Sequence, residues 1–293
     1  MKRSACLRLC VLSALSVYPV LAQDDSFFFL QGSDPQFGMY AADRNFIQET
    51  ANFEMFVATA NRLKPAFVVL CGDLINQAGN ASQATEFHRI AAKLDPAIKL
   101  YNVPGNHDVQ NEPTPESIAS YVNGFGADHY TFRHGNMVGF VLNSSVIHTP
   151  TKVPEQLAAQ EKWLRAELAK AKSDGVRHLV IIQHHPWFLE SPDEPDQYFN
   201  IPKERRKVYL ELFKQYGVEF LFSGHYHRNA IGKDGRLTMV TTGPIGMPLG
   251  PEGSGFRIVG VGADTISQQW FGLNALPNRI EVHSGALTIP ANK

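Results

Sequence analysis

The sequence predicts an α/β protein in which two mixed β-sheets face each other and helices lie outside them. Short, continuous apolar runs alternate with amphipathic stretches over much of the chain, and this alternation indicates strands joined by helices. Runs of this length are typical of strands that are buried on both faces. No linker rich in Gly, Ser or Pro divides the chain, so we expect a single domain spanning residues 23–293.

Five apolar runs are predicted to form buried strands. They are residues 27–30, 66–71, 98–103, 178–183 and 219–223. Residues 129–145 predict an antiparallel hairpin with its turn near Gly135. The segment after residue 229 contains several short apolar stretches separated by glycines, which indicates further strands.

Three helices are predicted between these strands. Apolar residues recur at helical spacing from Phe46 to Leu63, and Pro65 should end that helix. Residues 158–172 predict a second helix with a solvated face. The third covers residues 205–216 and should end at Gly217, because glycine is the usual residue after a helix.

Residues 1–22 are predicted to be a secretory signal peptide. Lys2, Arg3 and Arg8 lie before or at the start of the apolar run 9–21, and small residues lead up to cleavage after Ala22. The run is short for a membrane span of about 20 residues. We therefore expect a secreted or periplasmic protein with no membrane span after cleavage.

The composition of the mature chain excludes two classes of protein. Cleavage leaves 24 basic against 28 acidic residues, a net charge of −4, and no basic patch indicates a nucleic-acid partner. Of three cysteines only Cys71 remains, so no internal disulfide is expected.

Potential metal ligands follow each of the five predicted strands. The segments after the strands read QGSDPQFG, CGDLIN, PGNHDV, QHHPWF and GHYHRN. Ligands of α/β sheets bind outside the carboxyl ends of the strands, so these side chains are expected to converge. The alternative for His225 and His227 alone is a pair of histidines that merely closes a loop.

The type and number of donors predict two divalent metal ions. Oxygen and nitrogen donors without a thiolate suit Mn, Fe, Zn or Mg. The donors outnumber what one tetrahedral zinc requires, and two ions about 3.5–4 Å apart would use them all. Asp73 is the candidate for the bridging anion between them.

These motifs, taken in order, resemble the calcineurin-like metallophosphoesterase superfamily. The resemblance covers the mature chain up to His227 and implies a four-layer αββα sandwich with a dinuclear metal centre that hydrolyses phosphate esters. It implies seven ligands. They are Asp34, Gln36 and His227 for the first metal, Asn106, His184 and His225 for the second, and Asp73 as the bridge.

The resemblance also implies two catalytic residues. His107 would bind no metal but would stabilise the transferring phosphoryl group and protonate the leaving oxygen, and Asp108 would orient His107. A hydroxide held between the two cations would attack phosphorus in line, because bound metals lower the pKa of water to about 7.

Gln36 departs from the commonest family pattern, which has a histidine at this position. An amide oxygen is a harder and weaker donor than imidazole, so the first metal should bind less tightly and Mn²⁺ or Mg²⁺ should gain preference. An animal subgroup of the family shares this glutamine.

Two branches of the superfamily are not indicated by the motifs. Purple acid phosphatases carry a tyrosine shortly after the Gly-Asp motif, where this chain has Leu74, Ile75 and Asn76. The signalling Ser/Thr phosphatases carry Asp-Arg-Gly after Gly-Asp and Gly-Asn-His-Glu, neither of which occurs here.

The preferred function is therefore an exported, dinuclear-metal phosphomonoesterase. The first alternative is a phosphodiesterase that acts on cyclic nucleotides or glycerophosphodiesters. The second is a secreted binding protein of the same fold that has lost turnover through the Gln36 site.

Two further features have open interpretations. His185 lies beside His184, and we expect His184 to be the ligand because the family's histidine stands two places before the proline. The loop 186–200 contains aromatic and acidic residues. It is either a rim that selects the substrate or a solvated surface loop.

Overall fold

The computed structural model describes residues 26–290 and contains two mixed sheets. The first has five strands, which lie side by side in the order β11 (Ile266–Gly272), β10 (Gly255–Val261), β1 (Phe27–Gly32), β2 (Phe67–Leu70) and β3 (Lys99–Asn102). Strands β1, β2 and β3 are parallel, whereas β10 and β11 pair antiparallel. The predicted signal peptide lies outside the described residues.

The second sheet has six strands. Their order is β4 (Tyr130–His134), β5 (Met137–Val141), β6 (His178–Ile182), β7 (Phe220–Ser223), β9 (Leu237–Thr241) and β8 (Ala230–Asp234). The central four are parallel, and the edge strands β4 and β8 are antiparallel to their neighbours. Strands β4 and β5 form the predicted hairpin. A separate ribbon pairs β12 (Glu281–His283) with β13 (Ala286–Thr288).

An apolar core lies between the two sheets. In β6, Val180 and Ile182 belong to this core, while the alternate residue Ile181 belongs to the larger core beneath the helices. Phe29 of the first sheet meets Phe222 of the second with ring centroids 5.8 Å apart. Because successive side chains of a strand point to opposite faces, an apolar run such as β6 must be covered on both sides.

Helices cover the outer faces of the sheets, which confirms the predicted αββα sandwich. The described residues form α1 (Ile47–Leu63), α2 (Ala81–Ala91), α3 (Asn106–Val109), α4 (Pro115–Phe125), α5 (Ser144–His148), α6 (Pro154–Ser173) and α7 (Lys203–Tyr216). Phe56 of α1 packs on Phe256 of the first sheet. Among the described helices, none has the length and apolar character needed to cross a membrane.

The predicted helix ends are confirmed, but one strand prediction was wrong. Helix α1 ends at Lys64, whose backbone is left-handed, and α7 ends at Gly217 in the same conformation. Strand β3 was expected to be buried on both faces. It is instead the edge strand of the first sheet and is partly exposed, because only β2 pairs with it. An apolar run does not reveal whether a second strand will pair alongside it.

Phe53 supports a prediction about the helix-to-sheet core. This side chain is fully buried in α1 and packs against Phe37, Phe56 and Phe87. Phe53→Ala should lower the free energy of unfolding by about 3–5 kcal/mol, through lost burial and the cavity that remains. Met55→Ala on the same helix, at a side chain 45% exposed, is the matched control and should change it by less than about 0.5 kcal/mol. Urea unfolding of the three proteins measures both, and equal losses would contradict the placement of the core.

Candidate metal centre

The seven predicted ligands lie together at one end of the sandwich. They follow strands from both sheets: Asp34 and Gln36 follow β1, Asp73 follows β2, Asn106 begins α3 after β3, His184 follows β6, and His225 and His227 follow β7. All seven are at most 4% exposed. The carboxyl ends of parallel strands from two facing sheets therefore bring together residues that are almost 200 positions apart in sequence.

The acidic and histidine donors form two groups that share one residue. Asp73, His184 and His225 form one group, and Asp34, Asp73 and His227 form the other, with ligand atoms in each group within 4.8 Å of one another. These groups correspond to the predicted second and first metals. Asp73 lies where a bridging ligand would have to lie, and its bridging role stays a prediction.

Backbone carbonyl groups set the orientation of each candidate histidine ligand. His184 Nδ1 lies 2.7 Å from the Cys71 carbonyl oxygen, and His227 Nδ1 lies 2.6 Å from that of Met247. A carbonyl only accepts, so Nδ1 donates in both rings and Nε2 is the ring atom that remains for a metal ion. His225 is reversed: its Nε2 lies 3.3 Å from the Tyr198 carbonyl, which leaves Nδ1 as the ligand atom.

The electrostatics of the cluster favour cations. Burial alone would raise the pKa of Asp73, but the imidazoles of His184 and His107 outweigh it and hold that pKa well below its usual range. Burial opposes protonation of His184, yet the Asp73 carboxylate 3.1 Å away raises the pKa of His184 to about 9. Burial lowers the pKa of His225 to about 3, which keeps this ring neutral. Asp73 therefore favours a positive charge beside it, and a metal ion bound at His184 Nε2 would replace the proton there.

The two side-chain amides predicted to be ligands, Gln36 and Asn106, offer further oxygen donors at the cluster. The Asn106 Oδ1 atom lies 2.9 Å from His184 Nε2, and the Asn106 amide group donates to Asn111 at 2.9 Å. The Oε1 atom of Gln36 is buried and has no hydrogen-bond partner among residues 26–290. A buried acceptor without a donor is costly, and a metal ion would satisfy it. The donor set therefore fits two divalent ions held by oxygen and nitrogen atoms.

The backbone is left-handed at five of the seven ligands. They are Asp34, Gln36, Asp73, His225 and His227, with φ between 40° and 67°. Such conformations are uncommon for residues other than glycine and cluster at functional sites. Gly105 is needed for a different reason, because a Cβ atom there would lie 2.1 Å from Asp73 Oδ1.

His107 lies beside the cluster. Its backbone N–H donates to Asp73 Oδ1 at 2.8 Å, and its Nδ1 lies 2.7 Å from the Asn76 carbonyl oxygen. The prediction that Asp108 orients His107 was wrong. The Asp108 carboxylate accepts from the backbone N–H groups of Leu74 and Ile75, and from that of Gly105. Asp108 therefore holds the loop after β2 against α3, and the Asn76 carbonyl orients the imidazole.

Asp108 is a weaker acid than is usual for a carboxylate that accepts from three backbone N–H groups. Burial and the neighbouring Asp73 carboxylate raise the pKa of Asp108 to about 7, and the three backbone N–H groups oppose that rise. The carboxyl is fully enclosed between the two loops, which suits a structural tie.

The structure places His184 in the cluster and His185 outside it. His185 Nδ1 lies 2.9 Å from Ser144 Oγ, and its ring stacks on His148 at 4.8 Å. Burial, with the neighbouring imidazoles, lowers the pKa of His185 well below its usual range. A neutral imidazole bonded to serine supports the wall of the site.

The loop 186–200 passes over the cluster. Tyr198 is 57% exposed, yet its ring centroid lies 5.0 Å from that of His225, and its hydroxyl lies 3.5 Å from the Asn106 amide. The Glu194 carboxylate accepts from backbone N–H groups of residues 189–191, and the buried Arg206 donates to carbonyls of the loop. Glu194 therefore holds the backbone of this loop in place.

Two polar residues beside the site are not indicated by the sequence motifs: Asn76 contacts Gln36, and Asp43 contacts Asn76. Asn76 Oδ1 accepts from Gln36 Nε2 at 3.0 Å, and Asn76 donates in turn to Asp43 at 2.8 Å. Both residues resemble ordinary turn residues in the sequence, since Asn and Asp are common in loops. Only their proximity in space reveals the connection to Gln36.

Sequence comparisons identify the relatives of this chain. The family model of calcineurin-like phosphoesterases matches residues 29–229. The bovine (Bos taurus) serine/threonine-protein phosphatase CPPED1 is 38% identical over 268 residues, which cover 86% of each chain. The human (Homo sapiens) protein of the same name is also 38% identical, over 269 residues and 86% of each chain.

Solved structures share the fold. A dimetal phosphatase from Danio rerio superposes with a TM-score of 0.60 at 16% identity, covering 84% of this chain and 96% of the other. Purple acid phosphatase PPD1 from yellow lupin (Lupinus luteus) has a TM-score of 0.63 at 14% identity, with 89% and 53% covered. These structural similarities show the fold. The match to the family model and the similarity to the CPPED1 relatives show the family as well. The protein is a metal-dependent phosphoesterase and belongs to the calcineurin-like phosphoesterase family.

Proposed function

We propose that the protein is an exported phosphatase that hydrolyses phosphomonoesters at a dinuclear metal centre. The observation that carries the proposal is the convergence of seven buried donor residues, five of which form two groups that share Asp73, with His107 alongside. Two bound divalent cations would activate water and neutralise charge on the phosphoryl oxygens. The CPPED1 relatives, named as serine/threonine-protein phosphatases, support the choice of monoesters.

His107 is assigned the task of proton donation to the leaving oxygen. Its Nδ1–H is held by the Asn76 carbonyl, so Nε2 is the ring atom that remains for the substrate. The backbone N–H of the same residue holds Asp73 Oδ1, which fixes the imidazole relative to the carboxylate. A protonated Nε2 both stabilises charge on the phosphoryl group and supplies the proton that the leaving alkoxide requires.

The first prediction concerns metal-dependent turnover. Protein stripped of metal should be inactive and should regain hydrolysis of p-nitrophenyl phosphate when Mn²⁺, Fe²⁺, Zn²⁺ or Mg²⁺ is added singly. His107→Ala should lower kcat for a phosphoserine peptide by about 10²–10⁴ with metal content unchanged, because the leaving serine alkoxide requires the proton of a general acid. The loss should be smaller for p-nitrophenyl phosphate, whose leaving group departs as a stable anion. His283→Ala, at an exposed histidine on the β12–β13 ribbon, is the control and should keep full activity.

The same experiment separates the alternatives. Bis-p-nitrophenyl phosphate and a phosphoserine peptide are assayed beside the monoester. A higher kcat/KM for the diester would replace the monoesterase by a phosphodiesterase. Absence of turnover with every ion, in folded protein, would favour a binding protein and contradict the proposal.

Tyr198 is proposed to form the rim that selects the substrate. Its ring lies against His225 and its hydroxyl faces Asn106, so a substrate bound at these residues would lie close to this exposed side chain. Tyr198→Ala should change the ratio of kcat/KM between monoester and diester by roughly tenfold, the usual scale for one pocket contact. Tyr198→Phe keeps the ring and separates its effect from that of the hydroxyl. An unchanged ratio at constant metal content would show that the loop is only a surface loop.

Export is proposed from residues 1–22. When the full chain is produced in a bacterium, it should be recovered from the periplasm with Gln23 as its first residue. A chain that starts at residue 23, preceded only by an initiating methionine, should stay in the cytoplasm. Recovery of cytoplasmic protein that retains residues 1–22 would contradict export.

A further inference from the structure

A network of side-chain amides connects Gln36 to a carboxylate outside the metal ligands. Asp43 Oδ1 accepts from Asn76 Nδ2 at 2.8 Å and from Gln83 Nε2 at 2.7 Å. Asn76 Oδ1 accepts from Gln36 Nε2 at 3.0 Å. Asp43 lies seven residues after Gln36 on the same loop, which is closed by a bond from the Asp43 backbone N–H to the Gly38 carbonyl.

The network has only one consistent polarity. A carboxylate accepts and cannot donate, so the Asn76 NH₂ group must face Asp43 and the Asn76 oxygen must face Gln36. The Gln36 NH₂ group must then face Asn76. Gln83 is fixed independently, because its oxygen accepts from the backbone N–H groups of Asn76 and Gln77 at 3.0 Å each and its NH₂ group therefore faces Asp43.

These hydrogen-bond directions determine where the Gln36 side-chain oxygen points. The Gln36 NH₂ group is committed to Asn76, so Oε1 is the buried atom that has no partner in the described part of the chain. Gln36 is also the residue predicted to bind the first metal. The opposite orientation would present an NH₂ group, which cannot bind a cation. A carboxylate ligand has no such ambiguity, because both of its atoms are oxygens.

We propose that Asp43 is a positioning residue, which acts through Asn76 to keep the Gln36 oxygen directed at the first metal. This inference rests on the proposed dinuclear centre. Residues that orient metal ligands through such contacts are typically worth 10–100-fold in metal affinity. Asp43 therefore offsets the weakness of an amide ligand without touching the metal.

The test is a calorimetric titration of metal-stripped protein with Mn²⁺. Asp43→Ala should weaken the weaker of the two binding events about tenfold. Asn76→Ala should do the same, since it breaks the chain at its middle while keeping its backbone carbonyl. Asp43→Asn should restore most of the affinity, because one amide oxygen can still accept from Asn76 and Gln83. Gln77→Ala removes the donor to Asp43 Oδ2 and the acceptor of Asn80 Nδ2. It leaves both bonds to Asp43 Oδ1 in place, so it is the matched control, with no change in Mn²⁺ affinity expected.

A second background separates amide polarity from general damage to the fold. In Gln36→Glu protein the ligand offers an oxygen in either orientation, so Asp43→Ala should there leave Mn²⁺ affinity unchanged or raise it. The proposal would be overturned if Asp43→Ala weakened Mn²⁺ binding equally in both backgrounds. It would also be overturned if Asp43→Ala did not weaken Mn²⁺ binding in the protein that keeps Gln36. Unaltered protein that binds no Mn²⁺, Fe²⁺, Zn²⁺ or Mg²⁺ would contradict the dinuclear centre itself. The results for the Asp43 and Asn76 variants alone would not contradict that centre.

Discussion

The burial of two carboxylates where the sheets meet is the constraint that organises this structure. Asp34 and Asp73 are almost fully enclosed, and in the described part of the chain their ion pairs involve histidines alone. A buried charge is expensive unless it is paired and hydrogen-bonded. Backbone N–H groups provide part of the compensation: the N–H of His225 donates to Asp34 and that of His107 to Asp73. Bound cations would provide the rest, so metal binding would also contribute to stability.

The strained backbone of the ligands follows from the same constraint. Strands from facing sheets end side by side, and the segment after each strand must turn sharply for the candidate ligand side chain to point inward. Left-handed conformations at non-glycine residues cost about 1–3 kcal/mol each, so a rigid surrounding structure has to impose them. The inter-sheet core does so: Cys71 is part of it, and the next residues of that chain lead directly to Asp73. Burial raises the pKa of the Cys71 thiol. Cys71 packs in the core, and its backbone carbonyl accepts a hydrogen bond from His184 Nδ1.

The sequence predicted most of the fold and which residues come together at the candidate site, because both depend on local order. An apolar run followed at once by Asp, Asn or His identifies a strand and the end at which ligands lie, as for β2 with Asp73 and β7 with His225. The edge position of β3 depends on which strand pairs beside it, which its own residues do not encode. The bonds of Asp108 to the loop after β2 join segments 33 and 34 residues apart. Asp43 and Asn76 escaped notice for the same reason, since their roles exist only when two loops lie together.

The two amide ligands show why such contacts between loops matter for chemistry. An imidazole ligand is oriented by one carbonyl, as His184 is by Cys71 and His227 by Met247. A side-chain amide has one oxygen and one nitrogen of nearly the same shape, so packing alone does not select the donor atom. Both amides here commit their NH₂ groups to other side chains: Gln36 donates to Asn76, and Asn106 donates to Asn111. A site that replaces imidazole by amide therefore needs an acceptor behind it, and at Gln36 that acceptor takes its own polarity from the Asp43 carboxylate.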